Sequence, residues 1–280
     1  MRIAVAGAGT MGHGIAYVAA AAGLDVRITD PDPAALERAV AQIGVLFDRA
    51  IERGKLPAEA RGPGIARVRA VPTIEAAASD ADAVIEAAPE RIDLKRAIFA
   101  ELERHSPAGA LLASNTSSLS IASIAEAVGD RGRVVGMHFF NPVAAMRLLE
   151  IVRGPDTSES SVARARALAE QLGKTPIVVR DSPGFAASRL GIVLGLEAAR
   201  MVEQGVAEPA DIDRAMELGY NHPMGPLRLG DTVGWDVRLA VADHLRATLG
   251  GETYEAPEIV RRMVAEGKTG RKAGEGFYRW

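Results

Sequence analysis

Residues 3–22, IAVAGAGTMGHGIAYVAAAA, constrain the fold more than any other stretch of this chain. A short β-branched run, Ile3-Ala4-Val5-Ala6, leads into Gly7-Ala8-Gly9-Thr10-Met11-Gly12, and a helical pattern from His13 to Ala22 follows. With 29 glycines in the chain, a GxGxxG match alone says little. Set between a strand and a helix, it predicts a dinucleotide-binding βαβ unit. The first glycine permits the tight turn, the second lets backbone approach a pyrophosphate, and the third lets helix and strand pack closely. Phosphates then meet N–H groups at the positive end of the helix dipole, so Gly7, Gly9, Thr10, Met11 and Gly12 are expected to contact the cofactor. Asp30, eighteen residues beyond Gly12 and ending the next strand, is placed to bond the adenosine ribose hydroxyls. The alternative for Asp30 is a helix cap. Asp32 follows, with no arginine beside it, so a 2′-phosphate would face two carboxylates. The cofactor expected is NAD rather than NADP.

The same alternation continues to about residue 180. Strands are predicted at Arg2–Ala6, Asp25–Thr29, Ala83–Glu86, Ala110–Ala113, Arg133–Met137, Leu148–Val152 and Thr175–Val179, and helices at 12–22, 33–53, 92–104, 118–127 and 159–172. This is the pattern of a Rossmann-type doubly wound, mostly parallel sheet with helices on both faces. After Asp181-Ser182-Pro183-Gly184 no strand is expected. Gly184–Glu203 reads as a helix apolar nearly all round, which asks for burial on more than one face, and shorter helices follow near 209–218, 226–231, 234–249 and 256–266. Two domains are therefore expected: residues 1–182, binding the dinucleotide, and an all-helical 183–280.

Composition excludes several other functions. There are no cysteines, hence no disulfide framework, thiolate metal site or cysteine nucleophile. The histidines other than His138 show no metal-ligand spacing, and no metal is expected. A net charge of −3 without a lysine/arginine block gives no support to nucleic-acid binding. The apolar run Ile15–Ala22 falls far below the roughly 20 residues of a membrane span, and the glycine-broken amino terminus is unlike a secretory signal. A soluble, cytoplasmic protein is expected.

Polar clusters fall at successive predicted strand ends: Ala88-Pro89-Glu90, Ser114-Asn115-Thr116-Ser117, and His138-Phe139-Phe140-Asn141-Pro142. In open α/β sheets ligands lie beyond the carboxyl ends of the strands, so these clusters point to one crevice. Taken alone, SNTSS reads as a loop and cap, with Ser117 or Ser118 capping the next helix. Asn141-Pro142 is a turn signal between two apolar runs. Folding them back about Ala144 sets His138 opposite Glu150, each six residues from the centre, with Cβ atoms about 5 Å apart. A glutamate there fixes the imidazole tautomer and stabilises the imidazolium after proton uptake. Beside a nicotinamide cofactor, such a pair suits oxidation of an alcohol.

Six motifs, GAGTMGHGIA, SNTSSLSI, GMHFFNPV followed by LLEIV, DSPGF, GYNHPMGPLRLGD and GRKAGEGFY, together resemble the NAD-dependent 3-hydroxyacyl-CoA dehydrogenases, notably the short bacterial 3-hydroxybutyryl-CoA type, along essentially the whole chain. The resemblance implies His138 as catalytic base, Glu150 as its partner, and Ser117 between cofactor and substrate. It matches Glu90, Lys95, Asn115, Asn141 and the tail residue Lys272 to NAD-contacting positions, and Arg49, Arg53 and Lys55 to basic residues that help hold the acyl-CoA substrate. It further implies a homodimer through the helical domain. Ser188 departs from the pattern, standing where the family normally has an asparagine that helps to position the substrate. Competing readings are a related dehydrogenase of a non-CoA hydroxy acid such as gulonate or carnitine, and a crystallin-type NAD-binding protein without chemistry.

Overall fold

The amino-terminal apolar run forms β1 (Arg2–Ala6), inside an eight-stranded sheet ordered β3-β2-β1-β4-β5-β6-β7-β8. The other strands are β2 (Asp25–Thr29), β3 (Val68–Val71), β4 (Ala83–Glu86), β5 (Leu111–Ser114), β6 (Val134–Phe139), β7 (Leu148–Arg153) and β8 (Thr175–Arg180). The computed structural model describes all 280 residues, which divide into two compact units, Met1–Ser182 and Pro183–Trp280. Strands β1 to β6 run parallel, β7 is antiparallel to β6, and β8 is parallel to β7. The order reverses between β1 and β4, which opens a crevice at their carboxyl ends.

Strands β4 and β5 are buried at every position, as a parallel sheet covered on both faces requires. The helices of this unit are α1 (Thr10–Ala21), α2 (Pro33–Glu52), α3 (Arg61–Ala66), α4 (Ile74–Ala78), α5 (Ile92–His105), α6 (Ile121–Ala125) and α7 (Glu159–Gln171). Ile15, Phe47 and Leu168 from three of these helices pack with Ile3, Ile85, Met137 and Ile151 of the sheet in one core. Helix α2 opens with Pro33 after Asp32, whose carboxylate accepts from the Ala34 N–H at 2.9 Å. The cap is thus Asp32, and Asp30 is left for other partners.

Several sequence expectations change. Strand β3 lies outside the expected elements: it is a four-residue edge strand with Arg69 and Ala70 exposed, too short to stand out. The strand expected to end at Met137 runs to Phe139, which takes His138 into the ladder. The helix expected over 118–127 contracts to Ile121–Ala125, capped by Ser120 rather than Ser117 or Ser118.

The second unit consists of α8 (Ala187–Glu203), α9 (Pro209–Gly219), α10 (Pro226–Val233), α11 (Trp235–Leu249) and α12 (Glu258–Ala265), with isolated bridges in the tail and no strand. Helix α8 starts later than the pattern suggests, because Gly184 and Phe185 adopt positive φ of 72° and 47°. Trp235, Leu227, Val260 and Ile212 form one core cluster, and Ile192, Leu196, Leu245 and Tyr254 another. Fully buried Asp231 gathers the tail: it accepts from Trp235 Nε1, the N–H groups of Phe277 and Tyr278, and Trp280 Nε1 at 2.8–3.0 Å. The GRKAGEGFY motif is anchored by that carboxylate. No helix in the chain is long and apolar enough to cross a membrane.

Candidate active site

The glycine loop sits at the topological switch point. Gly7 has φ +111°, and a Cβ there would lie 2.7 Å from the Ala87 carbonyl oxygen; one on Gly12 would overlap the Gly7 carbonyl at 1.8 Å. These glycines bring loop, α1 and the end of β4 into backbone contact. Gly9 is exposed, a Cβ on it would meet open space, and as N-cap of α1 it offers no side chain to the first-turn N–H groups. The bare backbone and helix dipole there fit a pyrophosphate. Thr10 is exposed and Met11 half-buried beside it.

Asp30 joins this loop. Its Oδ2 accepts from the Ala8 N–H at 2.8 Å and its Oδ1 from the Asp32 N–H at 2.9 Å. Carboxylate oxygens have about four lone-pair sites between them, so capacity for ribose hydroxyls remains. The dinucleotide cradle is thus physically consistent with NAD.

At the end of β4 lies a polar network that sequence reasoning read only in part. Glu86, fully buried, accepts from Ser114 Oγ at 2.6 Å, the Ala88 N–H at 2.6 Å and Lys95 Nζ at 2.7 Å. Lys95 is 1 % exposed and also donates to the Ala88 carbonyl at 3.1 Å, with Glu90 Oε2 at 3.5 Å. Its ammonium is thus held within the protein by one carbonyl and two carboxylates. Glu90 in turn accepts on Oε1 from Thr116 Oγ1 (2.7 Å), the N–H groups of Ser117 (2.8 Å) and Ser118 (2.9 Å), and both serine hydroxyls (3.1 and 3.0 Å). Burial pushes the Glu90 carboxyl up, but the bonds from Thr116, Ser117 and Ser118 and the charge of Lys95 together hold it below the usual range. Ser117 and Ser118 are spent organising the β5–α6 turn around this carboxylate. The signal for Glu86 was available: a carboxylate closing an otherwise apolar strand, AVIE.

The next strand carries the titratable pair. In the β6–β7 ladder His138 stands directly opposite Glu150, the register expected from reflection about Ala144. Imidazole Nδ1 lies 2.8 Å from Glu150 Oε2, with the His138 side chain 8 % exposed and that of Glu150 fully buried. Phe140 packs against the imidazole with ring centroids 4.5 Å apart. Asn115, half-buried, accepts on Oδ1 from the Phe139 N–H at 2.9 Å, tying the β5 end to the histidine strand. Asn141 is exposed in the following turn.

The remaining candidates lie elsewhere. Arg49, near the end of α2, and Arg53 and Lys55, just past it, are exposed. In the second unit, Ser188 is half-buried in the first turn of α8. Lys272 is exposed and ion-paired with Asp236 Oδ2 at 2.5 Å, a contact the tail motif did not announce.

A doubly wound sheet with a glycine cradle at its switch point, and a carboxylate-held imidazole two strands beyond β4, defines a nucleotide-dependent oxidoreductase of the dehydrogenase class. The chain belongs to the 3-hydroxyacyl-CoA dehydrogenase family: residues 2–182 match its NAD binding domain and residues 184–280 its C-terminal domain. Among its relatives is a probable 3-hydroxybutyryl-CoA dehydrogenase of Bacillus subtilis, 43 % identical over 277 residues that cover 99 % of this chain and 96 % of that one. A 3-hydroxyadipyl-CoA dehydrogenase of Escherichia coli is 41 % identical over 279 residues, 99 % of this chain but 58 % of the longer relative. The crystal structure of (S)-3-hydroxybutyryl-CoA dehydrogenase from Ralstonia eutropha aligns with TM-score 0.95 at 40 % identity, covering 100 % of this chain and 98 % of that one.

Proposed function

We propose that this protein interconverts short-chain (S)-3-hydroxyacyl-CoA and 3-oxoacyl-CoA thioesters, with His138 as the acid/base. The observation that carries this reading is the 2.8 Å contact between His138 Nδ1 and Glu150 Oε2. By accepting from Nδ1–H, Glu150 puts the acceptor lone pair on Nε2 and stabilises the imidazolium that forms when the substrate hydroxyl gives up its proton there. NAD, bound at the glycine loop, supplies the acceptor for the hydride that leaves the carbinol carbon. In the reverse direction His138 returns the proton to the carbonyl oxygen. On this reading the Ser117 hydroxyl, which donates to Glu90 at 3.1 Å, lies between cofactor and substrate.

Asp30 would hold the adenosine ribose, Asn115 and Asn141 would line the nicotinamide side, and Arg49, Arg53 and Lys55 would attract the phosphates of CoA. Lys95 fits the support of Glu86 and Glu90 better than direct cofactor contact, since it is 1 % exposed. We assign residues 1–182 to cofactor binding and 183–280 to substrate binding and dimerisation, with Ser188 as a substrate-positioning residue and Lys272 among the cofactor-contacting residues. Leu190, Leu218 and Tyr220 of the second unit are 71 %, 79 % and 75 % exposed; such apolar exposure supports a homodimer through this unit.

Steady-state rates with NADH and acetoacetyl-CoA, longer and dicarboxylic 3-oxoacyl-CoA thioesters, and gulonate with NAD⁺ test the substrate class. Turnover fastest on a short 3-oxoacyl-CoA is expected. Gulonate activity without acetoacetyl-CoA turnover would overturn the proposal.

A further inference from the structure

A buried lysine distant in sequence from the pair reaches the turn that carries it. Lys174, immediately before β8, is 9 % exposed, and its Nζ donates to the carbonyls of Val143 and Met146, the latter at 2.9 Å. Its compensation comes from two backbone oxygens rather than a carboxylate. Burial holds its ammonium below the usual lysine range. An ammonium is costly to bury, and an apolar side chain would fill the same space without that cost. Directed donors to these two carbonyls are what the lysine adds.

The turn is also held from its other side. Val143 is 3 % exposed, and a Cβ on Gly14 of α1 would come within 2.9 Å of its Cβ and Cγ2. Only a bare backbone at position 14 lets the 140–147 turn seat against the helix that opens at the glycine loop. The Lys174 backbone is fixed in turn, its N–H donating to Ala169 of α7 at 2.9 Å and the next N–H, of Thr175, to Arg147 at 2.7 Å. The turn begins with Phe140, whose ring packs on the imidazole of His138.

We propose that Lys174 is a positioning residue: by clamping the β6–β7 turn against Gly14 of α1 it sets the placement of the His138 imidazole relative to the dinucleotide cradle. Misplacement of a reacting group by about 1 Å can cost on the order of 10²-fold in rate. The clamp therefore acts on turnover more than on cofactor affinity.

The kinetic part of the test rests on the acyl-CoA reading above; amide hydrogen exchange of residues 140–147 does not. For Lys174→Met we expect kcat to fall about 10-fold or more, NAD affinity to stay within about 3-fold, and exchange to rise in 140–147 while β1 and α1 stay protected. Gly14→Ala, which pushes Val143 from the opposite side, should lower kcat likewise, and adding Val143→Ala should recover part of the loss. A lowered unfolding midpoint with unchanged kcat and unchanged exchange in the turn overturns the inference. If the wild type turns over no acyl-CoA thioester, the substrate reading fails, and the exchange data alone decide whether Lys174 holds the turn.

Discussion

The imidazole of His138 and the carboxylate of Glu150 meet at 2.8 Å from directly opposed positions of antiparallel strands, one side chain nearly buried and the other wholly so. The ladder itself holds the pair in register, and no loop has to close to form it. His138→Gln should lower kcat by about 10²–10⁴-fold, the usual worth of a positioned acid/base, while NAD affinity is retained. Rates under saturating cofactor, with a parallel binding titration, check this; turnover near that of the wild type contradicts the role.

Asp30 links the glycine loop to the predicted ribose site through its bond to the Ala8 N–H. Asp30→Ala should weaken NAD binding by about 10-fold or more, since hydrogen bonds to a charged group contribute roughly 1.5–3 kcal/mol. Calorimetric titration gives the answer, and an unchanged dissociation constant removes the ribose assignment.

The Lys95–Glu86 ion pair is almost fully excluded from solvent. Lys95→Met should destabilise the protein by about 3–5 kcal/mol by leaving the glutamate buried and uncompensated, whereas pairing it with Glu86→Gln should restore much of that loss. Urea unfolding of the single and double variants measures the difference. Equal midpoints for wild type and Lys95→Met would show the pair to be energetically idle.

Glu90 titrates below its ordinary range because Thr116, Ser117, Ser118 and Lys95 together outweigh the cost of its burial. A carboxyl with a depressed folded-state pKa stabilises above its unfolded value, about 4.3, and this contribution is lost as pH falls through the folded value. The stability gap between wild type and Glu90→Gln should therefore be widest near neutrality and close as pH drops below about 4. Unfolding midpoints measured from pH 7 downward test the trend; a gap that widens in acid opposes it.

Local pattern was enough for much of this molecule. Glycine spacing between a strand and a helix located the tight β1–α1 turn, because the backbone contacts at Gly7 and Gly12 tolerate no side chain. A turn signal and equal spacing gave the His138–Glu150 register, because opposed positions in a hairpin follow from counting. What lay beyond local pattern was decided by neighbours far along the chain. Strand β3 exists because Val68–Val71 find the edge of β2, and the Arg-Gly-Pro-Gly stretch of α3 packs because Gly64 leaves room for the ring of Phe47. Ser117 and Ser118 do not cap α6, since Glu90, 27 and 28 residues away, takes their hydrogens. Asp231 and Lys174 look like ordinary polar positions in sequence, yet each is buried with distant partners in the fold. Periodicity reports which face a residue occupies. Which donor meets which acceptor is set only when the sheet and its covering helices pack, because burying a polar group forces it to find a partner wherever the fold supplies one.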